Sequence, residues 1–333
     1  MSRSSVLAIA LAICPMVVGA CASVPEPAAC AMSAGDRAWI DRAVAAWRFT
    51  SREITGISRV PKSKVFLFSA DCLLTSEDAL SSPVPEGVTW AAASHGGNIA
   101  LPNGSQIPVG VTSFASGAED LTFFVMAAPS VWTSAGLGSG ADLERTLTAV
   151  LLHEALHVAQ IGPYGKRLGA LIERYSLPDE FNDSAVQERF GDNQEFAASV
   201  RRESELFLAA AAAEDDAEAL RLAREARELM RARQARWQVG EDAYLVEAED
   251  IWLTFEGSGQ WTAYQWVIHP EGGALPAAEA LPRFAKGREW SQTHGFALVM
   301  ALDRVAGPGW KHHAFGDGAK TVIEMLDYAL ATK

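Results

Sequence analysis

Cysteine and basic residues are scarce in this sequence. Its 333 residues include 4 Cys, and 28 Lys and Arg stand against 41 Asp and Glu, which gives a formal net charge of −13. No basic run is longer than a pair, so no segment is suited to neutralising a phosphate backbone, and nucleic-acid binding is disfavoured. The hydrophobic fraction of 49% excludes a disordered polymer and indicates a globular protein with a large core.

The first twenty residues have the pattern of a secretory signal peptide. Arg3 supplies a positive charge, and residues 6–19 carry no charge but are too few to span a membrane comfortably as a helix. The run ends in Val18-Gly19-Ala20-Cys21, which resembles the lipobox of bacterial lipoproteins. The resemblance implies that residues 1–20 are removed and that Cys21 carries a lipid. An ordinary signal peptide cut nearby is the alternative, and both predict export.

The residues after the predicted cleavage point suggest where the protein resides. Ala22 rather than Asp follows Cys21, which by the lipoprotein sorting pattern implies the outer membrane of the cell envelope, facing the periplasm. Residues 21–35 are rich in Ala, Pro and Ser and are predicted to form a flexible tether. We therefore expect a membrane contact through a lipid anchor.

Export changes the interpretation of the cysteines. Cys14 would leave with the signal peptide and Cys21 would be lipidated, so Cys30 and Cys72 remain. An oxidising compartment would let these two form a disulfide, and two free buried thiols are the alternative. Two cysteines alone cannot form a structural zinc site.

The hydrophobic pattern predicts an α+β fold within a single region, residues 36–333. Residues 36–132 are expected to form a small α/β lobe, and residues 133–333 a predominantly helical lobe. In the first lobe we predict a helix over 36–54, strands at 64–69 and 121–127, and a hairpin around an Asn-Gly turn at 103–104. In the second we predict helices over 142–161, 184–212, 214–238, 242–267, 289–304 and 319–331.

The helix predicted over 142–161 contains His153-Glu154-Ala155-Leu156-His157. Histidines four residues apart share a helix face, so both imidazoles can bind one metal ion, and Glu154 can reach water at that ion. With 7 His in the chain, a chance H-E-x-x-H match is about one in a hundred. The motif and its uncharged neighbours resemble the zincin metallopeptidases. Two surface histidines without a metal are the alternative.

A catalytic zinc site has three protein ligands and an open position. No third histidine follows His157 at the metzincin spacing, so the resemblance is to the gluzincins, in which a downstream helical Glu is the third ligand. We predict Glu256, because it lies in an apolar helical segment where a carboxylate without a cation is costly. Gly257 and Gly259 beside it allow close helix packing. Glu195, which has more polar neighbours, is the alternative ligand.

Other residues are candidates for supporting roles. Glu249 shares a helix face with Glu256 and is a candidate to orient a ligand imidazole, although an exposed acid is the more ordinary interpretation. The zincin resemblance implies an oxyanion donor, for which Tyr264 is the first candidate, followed by His294 and His95.

These features predict an exported zinc metalloprotein of the α+β class. The gluzincin resemblance implies one Zn²⁺ per chain and hydrolysis of peptide or amide bonds in a peptide or protein substrate of the envelope, with Glu154 as general base and Tyr264 as a second catalytic residue. The strand at 121–127 is either an edge that binds an extended peptide or part of the core. A non-catalytic zinc-binding lipoprotein that serves assembly or interaction is the alternative function, and a metal-free helical lipoprotein is a third.

Overall fold

The computed structural model describes residues 30–333, except residues 59, 61, 82, 119–120, 179–180 and 316–318. The fold is α+β and mostly helical, with a small β-sheet near the N-terminal end of the described part. The predicted signal peptide, Cys21 and most of the predicted tether lie outside the described residues. None of the helices in the described part is both long and apolar enough to cross a membrane.

The N-terminal part contains one helix and two sheets. Helix α1 (Ala34–Phe49) continues into a π-helical turn, Thr50–Ile54. The strands are β1 (Ser63–Phe68), β2 (Cys72–Ser76), β3 (Ala91–Ser94), β4 (Asn98–Ala100), β5 (Gln106–Pro108), β6 (Ser113–Ala118) and β7 (Leu121–Ala127). The main sheet has the order β3-β2-β1-β7-β6, with β1 and β7 parallel and the other pairs antiparallel. Strands β4 and β5 form the hairpin predicted around the Asn-Gly turn.

The rest of the chain is helical. Helix α3 follows one short helix, α2, and packs between the sheet and the later helices. The helices are α2 (Pro129–Ser134), α3 (Gly140–Tyr175), α4 (Ala185–Phe190), α5 (Gln194–Ala212), α6 (Asp216–Trp237), α7 (Tyr244–Ile268), α8 (Ala277–Ala285), α9 (Trp290–Ala306), α10 (Lys311–Ala314) and α11 (Val322–Thr332).

Helix α3 is longer than the sequence pattern predicts. The expected end near residue 161 is wrong, because the helix continues through Pro163 to Tyr175. Proline removes one backbone hydrogen bond and crowds the preceding turn, a cost of about 3 kcal/mol. Packing offsets it: Tyr164 and Leu171 are fully buried in a second hydrophobic cluster, and the Tyr164 hydroxyl bonds the Ala314 carbonyl at 2.7 Å.

One edge of the main sheet, the edge beside β7, is formed by a strand that the sequence pattern did not predict. Strand β7 lies inside the sheet, between β1 and β6, so the interpretation of 121–127 as an edge is wrong and the interpretation as core is right. The edge strand is β6, whose sequence Ser-Phe-Ala-Ser-Gly-Ala contains few residues that favour strands. Pairing with β7 compensates for that weak preference, and β6 packs against α3.

One hydrophobic core joins the two predicted lobes. It includes Trp39 of α1, Phe124 of β7, Leu152 of α3 and Phe296 of α9, all fully buried. The indole nitrogen of Trp39 also donates to the Thr148 hydroxyl at 3.2 Å. Helix α3 therefore has rigid packing on both sides, which holds the histidines it carries.

Cys30 and Cys72 form a disulfide. The bond ties the start of the described chain to β2 and closes a loop with a sequence separation of 42 residues. On the chain-entropy relation, closing a loop of this length stabilises the fold by about 4 kcal/mol. Of the two alternatives for these cysteines, the structure has the disulfide.

Candidate metal centre

Three side chains from two helices converge at one buried point. His153 and His157 extend from α3, and Glu256 extends from α7. The Nε2 atoms of the histidines lie 3.2 Å from the two carboxylate oxygens of Glu256, one to each oxygen, and 2.8 Å from each other. Each of the three residues is only 8% exposed. This group can hold a metal ion, with one ligand atom from each residue.

The spacing of the donors matches a small tetrahedral ion. For metal–ligand bonds of about 2.0–2.1 Å, as zinc makes with nitrogen and oxygen, the corners of a tetrahedron are about 3.3 Å apart. The two imidazole nitrogens are 2.8 Å apart, and each lies 3.2 Å from a different oxygen of Glu256, so the separations between neighbouring donors are close to that value. Three protein donors leave the fourth corner open to water or another ligand.

Gln160 sets the orientation of the His157 ring. Its Oε1 accepts a hydrogen bond from His157 Nδ1 at 3.0 Å, so the proton of the neutral ring lies on Nδ1 and the lone pair on Nε2 points at the metal position. Gln160 is fixed in turn, since its Nε2 donates to the Ser258 hydroxyl at 2.7 Å. Ser258 donates to the Thr254 carbonyl at 2.6 Å. This chain of contacts holds α3 and α7 in register around the site.

We expect Gln160→Leu to lower zinc affinity by about 10–100-fold, because the substitution removes the partner that orients the His157 ring. A competition titration with a fluorescent zinc chelator measures this. Gln160→Glu keeps an acceptor for His157 Nδ1 and is the matched control, with a smaller expected loss. Equal affinities in wild type and Gln160→Leu would contradict this role.

Two glycines of α7 make the helix contacts possible. A Cβ at Gly259 would lie 2.7 Å from His153 Nδ1, so any larger residue would push α7 away from the histidine. A Cβ at Gly257 would lie 2.4 Å from the backbone of Gly295 in α9. Gly259 therefore allows the predicted close approach of α7 to α3, the helix that carries the histidines. Gly257 instead allows the close approach of α7 to α9.

The charges of the site favour a cation at its centre. Burial lowers the pKa of His157, but the Glu256 carboxylate outweighs burial and raises it to about 9. Burial likewise raises the pKa of Glu256, but the two imidazoles hold that pKa well below its usual range. Glu256 is thus ionised, and a buried carboxylate needs a positive charge beside it. A divalent cation can supply this charge and can bind the lone pairs of the two imidazoles.

Glu154 lies beside the three donors and is held by the edge strand. Its Oε2 accepts a hydrogen bond from the Ala115 backbone N–H of β6 at 2.9 Å. Next to Glu154 and His153 opens a cavity of about 280 Å³ between α3, α7, α8 and α9. Its walls include Val150, Val267, Phe284, Arg145 and Arg283.

The other predicted site residues lie elsewhere. Tyr264 packs its ring between Phe284 and Phe296 and is not among the residues that line the cavity; its catalytic role stays a prediction. Glu195 lies on the surface, paired with Arg236, so it does not join the metal group.

Glu249 and the two histidines proposed as oxyanion donors have structural partners. Glu249 is buried rather than exposed, and its carboxylate binds Arg233 at 2.8 Å instead of a ligand imidazole. His294 is buried against Ser204 and lies 3.4 Å from Glu203, while His95 bonds the Ser69 carbonyl.

Sequence reasoning missed three parts of the site: the orienting residue Gln160, the edge strand β6, and a nearby carboxyl, Asp183. Gln160 had a signal, because it lies three residues after His157 and is a polar residue in an apolar helix. No sequence signal pointed to Asp183. In the structure, burial and the charge of Glu256 raise the pKa of Asp183, and its carboxylate accepts a hydrogen bond from Ser291 at 2.7 Å.

Comparison with protein-family models, curated proteins and solved structures found no significant match to this chain.

Proposed function

We propose that this chain is a zinc-dependent hydrolase of peptide or amide bonds that acts in the cell envelope. The observation that carries the proposal is that Glu154 and His153, one of the three grouped donors, line the same cavity. A site that only stabilised the fold would need neither the neighbouring carboxylate nor an open side. Two histidines and one carboxylate favour zinc over harder divalent ions.

The chemistry divides between the metal and Glu154. A bound zinc ion supplies Lewis acidity that polarises a carbonyl and acidifies water. Glu154 acts as general base: its Oε2 is held by Ala115 N–H, which leaves Oε1 to accept a proton from the attacking water. The same carboxyl can then deliver that proton to the departing amine. Burial of the ligands keeps bulk water from competing with these contacts.

The position of β6 at a sheet edge, within the part of the chain that the structure describes, favours a peptide as the substrate. Thr112 O accepts the Ala127 N–H on the side facing β7, so Ser113 and Ala115 direct their backbone polar groups away from β7. The Ala115 N–H, which donates to Glu154, is one of the groups that point away from β7. An extended peptide can add to this edge as a further strand, which brings a backbone carbonyl next to Glu154.

The proposed location and family rest on the sequence. The lipobox-like run that ends at Cys21 supports export and a lipid anchor at the outer membrane. The H-E-x-x-H helix followed by a glutamate on a later helix supports the resemblance to gluzincins, and with it a zincin-like arrangement of an α/β lobe and a helical lobe.

Removal of the metal tests the proposal. We expect 1,10-phenanthroline to abolish cleavage of a fluorogenic peptide library by the mature protein, and one equivalent of Zn²⁺ per chain to restore it, because a bound metal would polarise the substrate carbonyl and acidify the attacking water. Elemental analysis before and after treatment reports the zinc content. Cleavage that persists in zinc-free protein would contradict the mechanism. Bound zinc without cleavage of any peptide would favour the non-catalytic binding module.

A further inference from the structure

We infer that the cavity beside Glu154 binds a carboxylate group of the substrate, close to the scissile bond, through Arg145 and Arg283. This inference rests on the proposed function and specifies its substrate class. The chain as a whole carries a net charge of −13, yet basic side chains outnumber acidic ones in the cavity lining. Among the described residues that line it, Glu154 is the one acid, and two arginines lie on its walls.

Arg145 is held at the cavity wall by two hydrogen bonds. Its Nε donates to the Gly273 carbonyl at 3.1 Å, and its Nη1 donates to Asp142 at 2.6 Å. The Asp142 side chain is 82% exposed, so solvent weakens its pairing with Arg145. The second terminal nitrogen, Nη2, has no hydrogen-bond partner in the described part of the chain and can donate to a ligand. The guanidinium is therefore positioned in advance, which lowers the entropy cost of binding an anion.

Arg283 supplies a second cation from α8. Its side chain is exposed, and it has no hydrogen bond or ion pair with any residue that the structure describes. A guanidinium presents parallel N–H groups that match the two oxygens of a carboxylate. Because none of the acids that the structure describes pairs with Arg283, a substrate carboxylate meets no competitor there among these residues.

The other residues that line the cavity indicate which peptide groups beside the carboxylate would fit in it. Val150, Val267 and Phe284 make one side apolar, and the volume of about 280 Å³ suits one or two residues of a peptide. Arg145 precedes His153 by eight residues, which is about 12 Å along α3. An extended peptide covers about 3.3–3.6 Å per residue, so a carboxylate within three residues of the scissile bond can reach the arginines.

Two kinds of substrate carry such a group: a peptide with a free C-terminal carboxylate, and a peptide with an acidic side chain. Two peptide pairs distinguish them. In the first pair, a peptide that ends in an apolar residue has either a free C-terminal carboxylate or a carboxamide. In the second pair, both peptides are amidated at the C-terminus, and one internal position holds either Glu or Gln. Dissociation constants are measured with the Glu154→Gln protein, and kcat/KM with the wild type.

We expect the carboxylate member of one pair to bind at least about tenfold more tightly than its neutral partner. In Arg283→Gln the ratio of the dissociation constants of the neutral and carboxylate peptides should approach one, and Arg283→Lys should retain part of the preference. Arg201→Gln is the matched control, since Arg201 of α5 is exposed, lies outside the cavity and has no ion pair with the residues that the structure covers; the ratio should be unchanged.

Preference within the first pair identifies a terminal carboxylate, and preference within the second identifies an acidic side chain. Equal binding within both pairs overturns the inference, as does a preference that Arg283→Gln leaves intact. The binding ratio decides this inference even if no peptide is cleaved, whereas turnover by the wild type decides the proposed function. The two failures are therefore distinguishable.

Discussion

Glu154→Gln is expected to lower kcat for peptide hydrolysis by about 10³-fold while one zinc ion stays bound per chain. The amide keeps the shape of the carboxylate and can still accept the Ala115 N–H, but it cannot take a proton from water. Glu154 is not one of the three grouped donors, so the affinity for zinc should change little. Steady-state kinetics together with elemental analysis measure both quantities.

Glu173→Gln is the matched control, because Glu173 is an exposed glutamate on the same helix and outside the cavity. It should retain wild-type kcat and zinc content. Wild-type turnover by Glu154→Gln would show that the H-E-x-x-H glutamate is not the general base. Loss of zinc in that variant would instead give Glu154 a direct part in metal binding.

Glu256→Ala is expected to lower zinc affinity by at least about 100-fold, because it removes one of three protein ligands and the only negative charge among them. Activity should fall in parallel at limiting zinc. Affinity is measured by competition with a zinc chelator, and circular dichroism reports whether the helices remain formed.

Glu195→Ala provides the comparison, since Glu195 is the alternative ligand and lies on the surface with Arg236 as its partner. Its zinc affinity should equal that of the wild type. Zinc retained in Glu256→Ala but lost in Glu195→Ala would reverse the ligand assignment. If Glu256→Ala lost helical signal along with zinc, unfolding rather than loss of a ligand would explain the result. Glu256→Gln separates the two explanations, because it keeps one ligand oxygen and the side-chain volume.

Local sequence patterns predicted the two helices that carry the grouped donors, α3 and α7, but not the site's strand, β6. Residues 121–127 form a strand, and the H-E-x-x-H segment lies on a helix, as predicted. The patterns were less informative where packing overrides local preference. Pro163 lies inside α3 because the buried Tyr164 and its contacts offset the proline, and β6 forms because β7 supplies a partner.

Glu249 shows the limit of periodicity. It lies on the same face of α7 as Glu256, but seven residues place it about 10 Å along the axis, too far to reach the same imidazoles. It belongs to a buried ionic cluster instead, in which Arg233 of α6 binds Glu249 and also Glu203 of α5, both at 2.8 Å. Helical spacing predicts a shared face, while the partner on that face depends on which helices pack there.

The sequence by itself determined that His153, Glu154 and His157 share one helix and that the two imidazoles face the same way, because a spacing of four residues is a local property of an α-helix. It also marked Glu256 as a buried acid in need of a cation. Tertiary structure alone decided that the carboxylate meets both imidazoles within 3.2 Å, that β6 holds Glu154, and that two arginines share its cavity. These contacts join residues far apart in the chain, and their positions depend on how closely whole helices and strands pack, as at Gly259 against His153.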